Sequence, residues 1–159
     1  MPKARRRPNN PRLIEQHEWL KSLLGCNIHP GIPTGTPGLR IADVATGTAI
    51  WLLDLAKILP SDVQLYGFDI STKQFPAPDA RPANVFLHEH NITNPFPQEY
   101  HGVFDIVAVR LITAGLRGDD WDKAVKNVNV LLSLSALSKP SQPQSKLMKY
   151  RTWRLSAVD

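Results

Sequence analysis

A single cysteine, Cys26, occurs among the 159 residues, so no internal disulfide can form and the composition suits a reducing compartment. No apolar run approaches the roughly 18 residues needed to cross a bilayer, and none lies near Met1 where a secretory signal would sit. The expectation is a soluble protein, cytoplasmic or nuclear, without a membrane partner. Acids are missing from residues 1–12, which carry five cations, and Asp159 is the one acid against five cations in residues 139–159. The net charge of +5 therefore belongs to the two ends, and the body between them is net −4. A basic arm, a mildly acidic body and a basic tail do not describe a nucleic-acid-binding face. The arm Lys3-Ala-Arg-Arg-Arg7 reads as solvated and disordered, with an import signal or a phosphate-touching segment as alternatives.

What remains is enough for one domain with a real core, since 42% of the residues are hydrophobic. The 14 prolines imply long extended connections. Leu13, His17, Leu20 and Leu24 recur at helical spacing, so residues 12–24 read as an amphipathic helix closed by Gly25. Strands are expected at about residues 39–45, 63–68, 84–90 and 104–109, and a helix at about 48–59, stopped by Pro60. Pro76, Pro78 and Pro82 reduce the next crossover helix to turns. Asp119 or Asp120 caps a last helix, whose apolar stripe would hold Trp121, Ala124, Val125, Val128, Leu131 and Leu132. The fold class is α/β, a Rossmann-like doubly wound parallel sheet.

The most informative segment is Leu39-Arg-Ile-Ala-Asp-Val-Ala-Thr-Gly-Thr-Ala-Ile-Trp51, followed by Leu65-Tyr-Gly-Phe-Asp-Ile-Ser71. It reads as strand, small-residue turn, helix, and a second strand ending in an acid. In an open parallel sheet this arrangement seats a nucleotide-like ligand, whose ribose hydroxyls the later carboxylate accepts. Ala45, Gly47 and Ala49 supply only one of the glycines that a pyrophosphate site needs. An acid opening the turn, Asp43, would repel a pyrophosphate but attract a cation. An adenosine-containing cofactor other than a dinucleotide is therefore expected.

The same turn resembles motif I of class I S-adenosylmethionine-dependent methyltransferases. Arg12-Leu-Ile-Glu-Gln-His-Glu-Trp-Leu20, Leu24-Gly-Cys-Asn-Ile-His-Pro-Gly-Ile-Pro33, Trp51-Leu-Leu-Asp-Leu-Ala56, His90-Asn-Ile-Thr-Asn-Pro-Phe-Pro97 and Phe104-Asp-Ile-Val-Ala-Val-Arg-Leu111 extend that resemblance to the fungal methyltransferases of secondary metabolism, the group that contains velvet-complex regulators. It implies S-adenosyl-L-methionine as cofactor, a small-molecule acceptor, and a leading helix that covers the cofactor. Asp69 would take the ribose hydroxyls. Asp43, Ala45 and Gly47 would form the turn, with Asp43 also serving the cofactor's amino group. Asn91 and Ile92 would grip the adenine. Arg110 would position the cofactor carboxylate or the substrate, unless it pairs with Asp105 or Asp120.

No catalytic base is assigned. His101, near Tyr100, is a candidate for an acceptor hydroxyl. His88 and His90 share a strand face but lack a third ligand at suitable spacing, so no metal is expected. Cys26 reads as a packing residue. Ala49 stands where the family has the last glycine of its turn, and a side chain there costs about 1 kcal/mol or more if φ must be positive. After Leu132 the family's turn and further strand are replaced by Ser, Pro, Gln and Lys without periodicity. The organisation is thus expected to be a disordered arm over 1–11, an incomplete domain of about four strands over 12–137, and an irregular basic tail over 138–159. Truncation leaves an alternative: an inactive relative that binds a partner, such as another methyltransferase chain, through an open sheet edge, or the product of a misread gene.

Overall fold

The computed structural model describes residues 10–112, 115–133 and the backbone of residues 147–148. The basic arm and nearly all of the basic tail lie outside the described residues. Helix α1 (Pro11–Leu24) leads into β1 (Arg40–Val44), α2 (Ile50–Ile58), β2 (Gln64–Asp69), β3 (Val85–Glu89), β4 (Ile106–Val109), α3 (Asp120–Asn129) and β5 (Leu147–Met148). Between β2 and β3 the prolines leave two single 3-10 turns, Thr72–Gln74 and Pro78–Ala80, because Pro donates no N–H to a longer helix.

All strand pairs are parallel, in the spatial order β3-β2-β1-β4-β5. The chain starts at the middle of the sheet, runs to one edge, then returns to the other side of β1. Loops leaving β1 and β4 therefore diverge, and a crevice opens at their carboxyl ends. β5 adds two residues beside β4, matching Leu147 to Val107 and Met148 to Ala108. A fifth, very short strand thus stands within the segment expected to be irregular. Its Leu-Met pair meets backbone groups of β4 that would otherwise lack a partner on that side.

Period-two alternation divides the strands between two cores. Ile41, Leu65, Ile106 and Ala108 pack against Trp51, Leu52 and Leu55 of α2 on one face. Ala42, Val44, Phe68 and Val107 pack with Phe96, Phe104, Ala124, Val128 and Leu131 on the other. Both faces are covered, which is why β1 and β4 read as nearly continuous apolar runs.

The stripe of α3 differs from the expected one. Ala124, Asn127, Val128 and Leu131 point inward, whereas Trp121 and Val125 are 39% and 43% exposed. Asn127 takes an inward position because its side-chain amide donates to the Ile92 carbonyl at 2.9 Å, which removes the cost of burying it. Asp119 occupies the N-cap position but makes no side-chain capping bond.

Ala45 (φ 63°) and Ala49 (φ 59°) both adopt the left-handed conformation, as does Gly47 between them (φ 59°). The strain anticipated at Ala49 is present, and Ala45 carries it as well. Ala45 is the better place to relieve it, since Ala49 is fully buried and its methyl group contributes packing. Ala45→Gly is expected to raise unfolding stability by about 0.5–1 kcal/mol in urea titration, the relief of αL strain exceeding the added freedom of the unfolded chain.

Candidate functional site

Strand alternation places three charged residues on one face at the carboxyl ends. Asp43 follows Ile41 on β1, Asp69 follows Leu65 and Gly67 on β2, and Arg110 follows Ile106 and Ala108 at the end of β4. All three emerge on the side covered by α2. Gly67 keeps the floor between them low: a Cβ there would lie 2.6 Å from Leu87 Cδ2, 2.9 Å from Thr46 Cγ2 and 3.0 Å from Leu52 Cδ1.

The turn after β1 is held from below by Asp69. Its Oδ2 accepts the Gly47 N–H at 2.8 Å and its Oδ1 accepts the Ser71 N–H at 3.1 Å. The Thr46 N–H donates to the Phe68 carbonyl at 3.0 Å, so the turn is fastened to the end of β2 twice. A carboxylate offers about four lone-pair sites, and Asp69 retains acceptor capacity beyond these two bonds.

Asp43 is 1% exposed. Its Oδ2 accepts the Thr46 hydroxyl at 2.8 Å and lies 3.6 Å from Arg110 Nη2. Burial pushes its pKa above the usual carboxylate range, while the Arg110 charge and the Thr46 hydrogen bond pull it back down. Arg110 pairs with Asp43 and not with Asp105 or Asp120. Asp105 stands before the other end of β4, where it accepts the Arg40 N–H, and Asp120 pairs with Lys123. The Arg110 guanidinium also lies over the Trp51 ring, 4.7 Å from its centroid, and donates from Nη1 to His17 Nδ1 at 3.3 Å.

Asn91 and Ile92 follow β3, beside the end of β2, where the His90 N–H meets the Asp69 carbonyl at 2.7 Å. Asn91 Oδ1 is engaged locally, accepting the Thr93 N–H and hydroxyl. The Ile92 side chain is buried in the core on the α3 face. Among the described residues, Asp43, Ala45, Gly47, Asp69 and Arg110 converge on the β1 turn, and Asn91 flanks them.

The histidines serve other ends. His101 Nε2 donates to the Phe96 carbonyl at 2.9 Å, which ties its ring to its own loop. His90 stacks on Phe96 at 4.0 Å and donates to the Asn94 carbonyl. Among the described residues, the group close enough to hold a cation is His17, Glu18 and Asp54, but Lys21 and Lys57 already occupy Asp54 at 2.9 and 2.7 Å. Cys26 is half-buried, a free thiol beside the Leu24 carbonyl.

Over this face lies α1. Leu13 Cδ1 would be 3.0 Å from a Cβ on Gly47, and His17, 2% exposed, donates from Nε2 to Asp54 Oδ2 at 3.2 Å. His17, Leu20, Lys21, Leu24, Cys26, Asn27, Trp51 and Arg110 line an open crevice of about 180 Å³. Four buried polar atoms on this side make no hydrogen bond among the described residues: Asn27 Oδ1, Asp43 Oδ1, Thr48 Oγ1 and Arg110 Nε.

No family model matches the chain. It is 36% identical over 138 residues to the N-methyltransferase tcpN of Claviceps purpurea, covering 86% of this chain and 47% of that one. To the N-methyltransferase gliN of Aspergillus fumigatus it is 34% identical over 129 residues, covering 81% and 43%. A solved TehB-like SAM-dependent methyltransferase from Corynebacterium glutamicum aligns with a TM-score of 0.51 at 18% identity, covering 78% of this chain and 69% of that one. The chain is a relative of fungal N-methyltransferases. It spans less than half the length of the curated relatives it matches. The structural likeness concerns the fold alone.

Within this methyltransferase-like chain, the sequence reading omits His17, Asp54 and Gly67 as contributors to the site. Each left a signal. His17 sits in the apolar stripe of α1, and Asp54 interrupts the apolar run of α2. Gly67 lies two residues before Asp69 and so shares its face.

Proposed function

We propose that the chain binds S-adenosyl-L-methionine at the β1 turn and serves methyl transfer to a nitrogen of a small molecule in specialised metabolism. The observation that carries this reading is two unsatisfied buried atoms on facing side chains at the carboxyl ends of β1 and β4, an acceptor on Asp43 and a donor on Arg110. The cofactor's amino-acid end carries an ammonium and a carboxylate, and these two atoms have the matching charge and hydrogen-bonding sense. Thr48 adds a hydroxyl that can serve either. The donor set fits the group.

Asp69 would accept the ribose hydroxyls while still holding the turn. Asn91 would meet the adenine edge through its side-chain amide; Ile92, expected to share that role, instead turns its side chain into the core on the opposite, α3 face and takes no part. The bound cofactor supplies the activated methyl group. The chain's part is to fix the donor's orientation and to close it from water with α1. Leu13 of α1 lies over Gly47, so seating the cofactor on the turn would move the flexible end of that side chain. Names of the matched relatives, both N-methyltransferases, support nitrogen as the accepting atom.

Calorimetric titration with S-adenosylhomocysteine tests the reading. Saturable heat at micromolar to submillimolar ligand is expected. A folded sample that gives none at millimolar ligand would refute it.

A second reading is favoured by the β4 edge, which among the described residues is paired by the two residues of β5 and, just before β4, by a bridge from Leu132 to Phe104: the chain acts as a non-catalytic partner that pairs another chain along that edge. Size-exclusion chromatography separates the two, since this reading requires a self-associated or complexed species and the first is satisfied by a monomer.

A further inference from the structure

The polar side chains beneath α1 form one continuous line. Asp43 faces Arg110, Arg110 donates to His17 Nδ1, His17 donates from Nε2 to Asp54, and Asp54 accepts Lys21 and Lys57. His17 can accept at one nitrogen and donate at the other only as the neutral tautomer protonated at Nε2. Asp54 fixes that tautomer. The two remaining sides of the guanidinium are set by the Trp51 ring and by Asp43. One edge of it, Nε, is left without a partner.

We infer that His17, backed by Asp54, is a positioning residue: it holds the Arg110 guanidinium so that its free edge meets the carboxylate of the cofactor's amino-acid end. The inference rests on the cofactor reading above and adds a role for α1, which sets the orientation of a ligand-gripping arginine as well as covering the turn. A guanidinium binds a carboxylate well only when its plane is pre-set, since its donors form a rigid fork. Loss of His17 would leave Arg110 free to turn toward Asp43 alone.

The test uses two ligands and the full chain. S-adenosylhomocysteine carries the amino-acid end, and methylthioadenosine lacks it. Titration calorimetry of His17→Leu is expected to show affinity for the first lowered on the order of tenfold, with affinity for the second changed less than about twofold. His17→Gln, whose amide offers an acceptor to Arg110 and a donor to Asp54, is expected to recover most of the loss. Equal loss of both ligands, or no loss of either, would overturn the inference by reducing His17 to packing or to nothing. Wild-type chain that binds both ligands equally well would overturn it too, since Arg110 would then not grip the carboxylate. Wild-type chain that binds neither would instead remove the cofactor reading. Should His17→Leu not fold, nitrogen NMR of the wild-type imidazole decides: the His17 resonances are expected to respond to S-adenosylhomocysteine and not to methylthioadenosine, and silence toward the first would count against the proposal.

Discussion

Asp69→Ala is expected to weaken S-adenosylhomocysteine binding by at least about 100-fold, because two charge-assisted hydrogen bonds to ribose hydroxyls, each contributing roughly 1.5 kcal/mol or more, are lost together. A second loss adds to the first. The same carboxylate fastens Gly47 and Ser71 through their N–H groups, so its removal also frees the turn that the ligand must lie against. Asp69→Asn separates the two contributions, since an amide oxygen can still accept one backbone N–H while offering less to a diol. Its binding should fall between those of wild type and the alanine variant. Titration calorimetry reads both, with urea denaturation as a control for the turn. A dissociation constant for Asp69→Ala within about threefold of wild type would mean that the carboxylate serves only the backbone.

Asp69 also illustrates what the amino-acid sequence makes legible. Its place follows from two periodicities, an apolar strand of alternating faces and a turn about twenty residues earlier, and neither depends on partners elsewhere. The β1 and β2 strands, α2 and the proline-shortened crossover were readable for the same reason. Long-range polar pairing was not. Arg110 could be placed at the end of β4, yet its partner comes from the neighbouring strand, and choosing Asp43 over Asp105 requires the register that sets Asp43 beside Ala108. Five residues of strand, roughly 16 Å, separate Arg110 from Asp105, which rules out that pair once the segment is known to be extended. Asn127 shows a further limit. Hydropathy gives its place to Trp121 or Val125, and only the Ile92 carbonyl across the core explains why an amide is buried there. His17 belongs to the same class: an imidazole in an apolar stripe reads as packing until Asp54 and Arg110 are found at its two nitrogens.

Asp43→Ala should be the most destabilising single change in the site, by about 3 kcal/mol or more in urea denaturation. The Arg110 side chain is only 10% exposed, and without Asp43 it would keep a buried charge facing no acid on the β1 side. The native pair itself is not a source of stability. Burial raises the Asp43 pKa against the opposing pull of Arg110 and Thr46, so this group favours folding most when protonated. Its contribution is present below the ordinary carboxylate pKa and is lost as pH rises through the raised folded-state value. Burial thus works against the ionised form of this carboxylate in the fold, and Arg110 and Thr46 work for it. The double variant Asp43→Ala/Arg110→Met removes both charges and should regain most of the lost stability, since an apolar pair of comparable volume often matches or exceeds a buried ion pair. That stable variant should bind S-adenosylhomocysteine no better than the single one. Recovered folding with unrecovered binding would mean that the two charges are retained for the ligand's ammonium and carboxylate, at a cost to the fold. Additive destabilisation by the two substitutions would mean instead that the pair holds the β1 and β4 ends together.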